Sequence, residues 1–568
     1  MAPHCITRDD FLREYVFPDN PVYDFECDKR SAQYASGHPK EWGQDTEILN
    51  FGIDLKENGK RTYKSYHSAL SPDKKLLAIS CTAERILIYD IASKELRQIL
   101  EGAGVLAFRP DTNRPGSIEK TGQITDKLHE KPAYTIVSSI LDEASRHGRE
   151  NNKLILWDLD QHGRLLVDEE PVDPVAFATK AIEAIVPELE TTHEWTKDFI
   201  NASTLHADFA KALGRVAADH RRRHNTVIDN AELGSFKSTV FSSNGDLLLY
   251  RSKNLTTQHG QRQADELPQV VVYDIDAGKE IHRLSGHTDA IMWIGMSPND
   301  QYVSSVSWDG TLRLYSASTG ELSWATEDSG GQSWAASFSP DSKYITWSSK
   351  NGHVIQVLDV ADGRRISTFQ ETLTNWCRCL QWHPTRYEIV LCAGQHAYVW
   401  NVFDGSKANG TTTQHFAIND ENNRISMAGL NNVGWMDEGR LLYVESSDGT
   451  NLVYNLHTNA KELFRRPKGQ NDTAWVGYGF YGLLQESGEQ DYYLSVDGDG
   501  KARYWRTSVA AFPSWWEKKP TGVVTEKKAF PETGKYVKIT KTPIKETPKN
   551  ESSKDAWAEK GAELWAAE

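Results

Sequence analysis

The chain has 568 residues, 39% of them hydrophobic and 25% charged, with a formal charge of −15. That balance is ordinary for a soluble globular protein and sets most of the surface against nucleic-acid backbones and anionic membranes. The N-terminal MAPHCITRDDFLREY carries charges where a signal peptide has its apolar core, and no uncharged apolar run approaches the roughly 20 residues of a membrane span.

Residues 1–45 are polar and turn-rich and read as an N-terminal arm, with Phe11, Tyr15 and Phe17 as its apolar anchors. A lone strand follows at 47–51, EILNF, with no partner of its own nearby. From residue 46 to 507 a repeating plan takes over. Its clearest unit is 286–326, GHTDAIMWIGMSPNDQYVSSVSWDGTLRLYSASTGELSWAT. Four short alternating runs are separated by three turn signals: Ser297-Pro298-Asn299-Asp300, Asp309-Gly310 and Thr319-Gly320. An Asp-Gly pair suits a tight hairpin because both central residues need positive φ. One such four-stranded unit cannot bury both faces, so it needs similar neighbours.

The third run of each unit ends in a large residue followed by a polar one. Those ends are Tyr89-Asp90, Trp157-Asp158, Tyr273-Asp274, Tyr315-Ser316, Leu358-Asp359, Trp400-Asn401, Tyr454-Asn455 and Trp505-Arg506. A second landmark closes the first run: Ser71-Pro72-Asp73, Arg109-Pro110-Asp111, Ser243-Asn244-Gly245, Ser297-Pro298, Ser339-Pro340-Asp341 and His383-Pro384. From Tyr273 onward the third-run ends are 42, 43, 42, 54 and 51 residues apart. Two earlier gaps are longer, at 68 and 116 residues. The first holds a Gly, Pro and charge-rich loop. The second switches at 174–224 to helical spacing, with Ala178, Ile182, Ile185 and Leu189 on one face and Leu205, Phe209, Leu213 and Val216 on another. This predicts an α-helical insertion between units 2 and 3.

The last unit shows three runs, and the strand at 47–51 is the expected fourth. That pairing would close a ring with no open edge. Residues 508–568 read as a flexible tail, rich in Lys, Thr, Glu and Pro, ending in a short helix around Trp557, Leu564 and Trp565.

The unit at 286–326 resembles a WD repeat, the blade of a β-propeller, through Gly286-His287, Ser297-Pro298, Asp309-Gly310 and the aromatic Tyr315. The name-giving Trp-Asp is Tyr315-Ser316 here. The resemblance implies an all-β, eight-bladed WD40-type propeller, with a seven-bladed ring and one degenerate outside repeat as the alternative. It also implies a blade-locking chain of His287, Ser305 or Ser307, Asp309 and Tyr315. In such repeats partners dock on the face that bears the hairpin turns. Carried onto this chain, its contact positions are Tyr66, Lys237, Trp308, Trp334 and Arg378, with Trp376 two residues before Arg378. Each of these Trp residues equally suits packing between blades. Aromatic and Arg residues are the types that anchor interfaces.

No catalytic residue set, cofactor motif or metal site is read from the sequence. Asp497-Gly498-Asp499-Gly500 lacks the third acid and closing Glu of a calcium loop and falls where other units place a hairpin turn. The six cysteines, Cys5, Cys27, Cys81, Cys377, Cys379 and Cys392, form no CxxC pair and read as free thiols in a reducing compartment, cytoplasmic or nuclear. GK[ST] phosphate loops, HExxH and GxSxG are missing. The basic run Arg221-Arg222-Arg223-His224 suits a helix C-terminus as well as an anion site. The expected function is therefore a non-catalytic scaffold for other proteins or peptides. Two rivals stand beside it: a propeller enzyme with carboxylates in the central channel, and an RNA-associated assembly factor using the Lys-rich tail. Nucleic acid is not expected elsewhere on the surface.

Overall fold

The computed structural model describes residues 24–27, 33–34, 47–50, 56–57, 60–61, 67–81, 85–110, 132–140, 152–166, 225–252, 267–373, 375–394, 396–404, 407–419, 430–446, 451–455, 460–464, 477–483, 492–497 and 500–506. Eight antiparallel sheets follow one another around a ring, and seven of the eight landmark runs are third strands. Blade 3 has three strands, Leu247–Ser252, Gln269–Asp274 and Lys279–Leu284, and its landmark Tyr273-Asp274 ends the middle one. Blade 1 is His67–Leu70, Leu76–Cys81, Arg85–Asp90 and Leu96–Glu101; blade 4 is Ile291–Met296, Tyr302–Ser307, Leu312–Ser316 and Leu322–Ala325. Blade 5 is Ala336–Phe338, Tyr344–Ser349, Val354–Asp359 and Arg365–Thr368, and blade 6 runs Cys377–Trp382, Glu388–Ala393, His396–Asn401 and Thr411–Asn419. Blade 7 runs Leu430–Met436, Leu441–Ser446, Asn451–Asn455 and Ala460–Phe464. The inner strands of successive blades pack side by side, and blade 8 returns onto blade 1. The core lies between the sheets. Leu77, Ile79, Leu87 and Tyr89 of blade 1, for example, bury against Leu494, Val496, Ala502 and Tyr504 of blade 8.

Blade 8 joins the two ends of the ring. Gly477–Leu483, Tyr492–Asp497 and Lys501–Arg506 supply three strands, and Glu47–Asn50 pairs antiparallel with the last of them. Asp497 stands opposite Lys501 in that hairpin. The N-terminal arm reaches further than the closure strand. Asp24–Cys27 adds a fifth, antiparallel strand to blade 6, and Gln33–Tyr34 adds a short parallel one to blade 7. The arm thus covers two outer edges that would otherwise present unpaired backbone.

The Ser landmark has a direct physical basis. In blades 1, 3, 4 and 5 the Ser hydroxyl donates to an Asp or Asn two residues on and accepts a backbone N–H five residues on. The second bond is Leu76 N–H to Ser71 Oγ, Leu247 to Ser242, Tyr302 to Ser297 and Tyr344 to Ser339, each at 2.9 Å, and in blade 3 the closing Ser242 stands one residue before the Ser243 read from the sequence. One side chain closes the turn from inside, as Asx and Ser turns do. In blade 6 His383 takes that place. Its Nδ1 accepts the N–H groups of Thr385 and Arg386 at 3.1 Å each, which leaves Nε2–H to donate to Gly439 O at 3.0 Å.

Thr226–Asp229 is the outer strand of blade 2, paired with Lys153–Leu159. Residues 174–224 therefore fall between the third and fourth strands of blade 2, which corrects the position expected between blades 2 and 3. The four-residue strand TVID is too short to register as a separate run in the sequence. The α-helices expected at 174–224, Tyr66, the anchors Phe11, Tyr15 and Phe17, and the tail 508–568 lie outside the described residues. Among the described residues the ring is all-β apart from one 3-10 turn at Asp437–Gly439. None of them forms a helix long and apolar enough to cross a membrane.

Candidate functional site

In blade 4 His287, 1% exposed, ties the loop before the inner strand to the second strand and to the hairpin after it. It shares a bond with Asp309 Oδ2 through Nδ1 at 2.7 Å and with Ser305 Oγ through Nε2 at 2.8 Å. Asp309 Oδ2 also accepts Thr288 N–H at 3.0 Å, and its Oδ1 accepts the Thr311 hydroxyl at 2.7 Å. Burial holds the His287 pKa below the ordinary range even against the pull of Asp309. The imidazole is therefore neutral, donating from Nδ1 to the carboxylate and accepting the Ser305 hydroxyl. Burial alone would raise Asp309, but the bonds from His287, Thr311 and Thr288 hold it well below the usual carboxylate range. The Tyr315 hydroxyl donates to Ser285 O at 3.0 Å and so ties the third strand to the loop before His287. Blades 2 and 8 make related bonds from their landmark tryptophans, Trp157 Nε1 to Ser138 Oγ at 2.9 Å and Trp505 Nε1 to Ser495 Oγ at 2.8 Å.

This lock fixes the hairpin that carries Trp308. Trp334 and Trp376 precede the inner strands of blades 5 and 6, and Arg378 lies in the latter. The repeat geometry brings these four side chains from three successive blades into one cluster. Trp308 and Trp334 meet edge to face with ring centres 5.3 Å apart. Trp334 and Trp376 stack at 5.2 Å and 15°. The Arg378 guanidinium carbon lies 4.7 Å from both of the stacked rings. Trp334 is the hub, 2% exposed and packed with Ala290 and Met292, whereas Trp308, Trp376 and Arg378 are half-buried. The indole N–H groups of Trp308 and Trp334 are buried without a hydrogen-bond partner. Such orphan donors are uncommon in native interiors.

A residue not singled out in the sequence completes the cluster. Phe236 meets Trp334 edge to face at 5.8 Å. It sits on a turn, Ser235 to Ser238, that interrupts the inner segment of blade 3. Ser238 N–H bonds Ser235 O at 3.1 Å, and the two central residues, Phe236 and Lys237, have φ of 52° and 59°. Positive φ at a bulky side chain is a backbone outlier of the kind that clusters at functional sites.

Lys237 projects the other way from the same turn. Its ammonium donates to Val433 O at 2.8 Å and to the Tyr443 hydroxyl at 2.9 Å, both in blade 7. The turn thus bridges from blade 3 to the opposite wall of the channel. Lys237 is exposed to solvent while its ammonium is held by Val433 and Tyr443 across the channel. Burial lowers its pKa, but Cys379, Tyr443 and Glu445 outweigh that and hold it above the ordinary lysine range. Among the described residues no group of three or more His, Cys, Asp or Glu is arranged to hold a metal ion. Of the residues proposed from the sequence, Trp308, Trp334, Trp376 and Arg378 form one site. Lys237 shares its turn with Phe236 but faces away from the cluster, and Tyr66 lies outside the described residues.

The family model described as WD domain, G-beta repeat matches residues 278–316, which span the end of blade 3 and three strands of blade 4. No curated protein matches the chain.

Proposed function

We propose that this chain, an eight-bladed propeller of WD-type repeats, is a non-catalytic scaffold that docks a protein or peptide on the Trp308, Trp376 and Arg378 face. One observation carries the reading: three successive blades converge half-buried indoles and a guanidinium on a rigid Trp334 hub. Aromatic and Arg side chains held in fixed rotamers are the usual anchors of an interface, because little entropy is lost on binding. Four free thiols, Cys81, Cys377, Cys379 and Cys392, support a reducing compartment, cytoplasm or nucleus.

The test is affinity capture with the full chain and with Trp308→Ala/Trp376→Ala. Trp334→Ala is unsuitable, because truncating so buried an indole costs about 3–5 kcal/mol of folding stability. The scaffold reading expects the double variant to melt within a few degrees of the parent and to lose at least one stoichiometric partner. An identical set of partners, captured in identical amounts by a folded double variant, overturns the proposed face.

A further inference from the structure

The channel wall between blades 6 and 7 holds a group of reactive side chains that the docking face does not use. Cys379 lies on the inner strand of blade 6 and Cys392 on the strand beside it, directly opposed in register. Opposed residues of an antiparallel pair point to the same face with Cα atoms roughly 4.5–5.5 Å apart, within the span of a disulfide. Both thiols are buried, at 5% and 3% exposure, and both are free. As a thiol, Cys379 reaches Asn432 Oδ1 at 3.2 Å and Val433 O at 3.3 Å. Val433 O is the carbonyl that takes the Lys237 ammonium at 2.8 Å, so the cation and the sulfur share one acceptor. Asn432 is itself fixed by donating to Glu445 at 2.5 Å. A hydrogen bond from Cys392 and the charge of Lys237 together pull the Cys379 pKa below the ordinary thiol range, although burial alone would raise it. Cys392 is raised by that same bond and by burial, and Cys377 and Cys81 are raised by burial. A thiolate beside a cation, with a second thiol in reach, is the arrangement of a sulfur that reacts with small oxidants.

We propose that Cys379 is a hydroperoxide-reactive thiol and Cys392 its resolving partner, together forming a cross-strand disulfide inside blade 6. The Cys379 thiolate attacks one peroxide oxygen. An S–O bond forms, the O–O bond breaks, and hydroxide leaves to take up a proton as water. The sulfur is oxidised by two electrons to a sulfenic acid. The Cys392 sulfur then attacks the Cys379 sulfur, its own proton leaves with the hydroxyl as a second water, and the disulfide forms. Two thiols and one hydroperoxide thus give one disulfide and two waters when the oxidant is hydrogen peroxide. Water reaches Lys237 in the channel, so a small uncharged oxidant has a path that a protein thiol does not.

The experiment uses the full chain, treated with hydrogen peroxide, then denatured, alkylated and digested with trypsin without reduction. Cleavage after Arg378, Arg386 and Lys407 puts Cys379 and Cys392 on separate peptides, 379–386 and 387–407, while Cys377 falls on 366–378 and Cys81 on 76–85. The expected product is a linked pair of the first two, with Cys377 and Cys81 still alkylated. Cys392→Ser should stop at a Cys379 sulfenic acid that dimedone traps. Lys237→Met should slow peroxide consumption by Cys379 about tenfold at neutral pH, measured well below a melting temperature that falls with the two lost Lys237 hydrogen bonds. Oxidation of Cys81 as fast as Cys379, absence of the linked pair, or a wild-type rate in Lys237→Met would each overturn the proposal.

Discussion

Blades 3 and 4 adjoin in sequence and in space, yet their inner strands obey different rules. Blade 4 has six regular inner residues, Ile291–Met296, all buried. They end in a Ser-closed turn, and the His287–Asp309 lock pins the hairpin above. In blade 3 the equivalent segment packs against its own sheet but forms no continuous strand with it, pairing only at two isolated bridges, Glu232 with Arg251 and Phe241 with Leu248. It leans instead on blade 4, where Ser235 N–H bonds Met292 O at 3.2 Å and Thr239 N–H bonds Ile294 O at 3.2 Å. Between those two contacts the chain turns into the channel through two left-handed residues. One inner strand serves its blade. The other leaves its blade to carry Phe236 to the Trp334 cluster and Lys237 to blade 7. The propeller tolerates this because the neighbouring inner strand supplies the missing backbone partners.

The sharpest way to break the comparison is at the lock. Asp309→Ala leaves a buried imidazole, the Thr288 amide and the Thr311 hydroxyl without their acceptor. Losing one partner of a buried hydrogen-bonded pair costs about 4 kcal/mol, read as a lower urea midpoint of the full chain. A loss below about 1 kcal/mol would mean that blade 4 stands on its packing alone. The second effect is set by pH and lies in blade 6, where a histidine replaces the turn serine. Burial and the Arg386 charge outweigh the bond to Gly439 O and bring the His383 pKa down to about 4. The imidazole is neutral in the fold and takes a proton near 6.5 once unfolded. The unfolded chain therefore binds more protons between those values. Stability is full above about 6.5 and falls as pH drops towards 4, by up to about 3 kcal/mol. His383→Ser, which restores the side chain used in blades 1, 3, 4 and 5, should flatten that slope. An unchanged slope would place the acid sensitivity elsewhere.

The regular blades were legible because each signal has a local cause. The third-strand ends mark where a large residue turns into the core: Trp157, Tyr315, Trp400, Tyr454 and Trp505 are all buried. The Ser-Pro-Asp runs mark a turn that one hydroxyl closes. The aromatic cluster was partly legible, since equivalent positions on equivalent blades converge near the axis, which is how Trp308, Trp334, Trp376 and Arg378 meet. Phe236 was not. The sequence Ser235-Phe236-Lys237-Ser238 contains no Gly, Asn or Asp to announce left-handed backbone. Its only trace is negative, the lack of a six-residue alternating run between blade 2 and Leu247–Ser252. The fifth strands of blades 6 and 7 were hidden for another reason. Asp24–Cys27 pairs with a strand just under 400 residues away and Gln33–Tyr34 with one 427 residues away, and pairing at such separations leaves no local pattern.

The smallest expected effect sharpens the comparison most. Lys237→Gly removes an ammonium that makes two hydrogen bonds, each worth about 1 kcal/mol net. It also relieves a left-handed lysine, which returns about 1 kcal/mol because glycine adopts that backbone freely. The difference is a net loss of about 1 kcal/mol, read from the urea midpoint, against about 4 for Asp309→Ala. The same variant should raise the Cys379 pKa, since the cation that favours the thiolate is gone, and iodoacetamide should then label that residue more slowly at pH 7. A large stability loss with unchanged labelling would mean that the turn is a structural strut of the ring. Small stability change with slowed labelling would mean that blade 3 gave up a regular strand to set the chemistry of the channel rather than to hold it together.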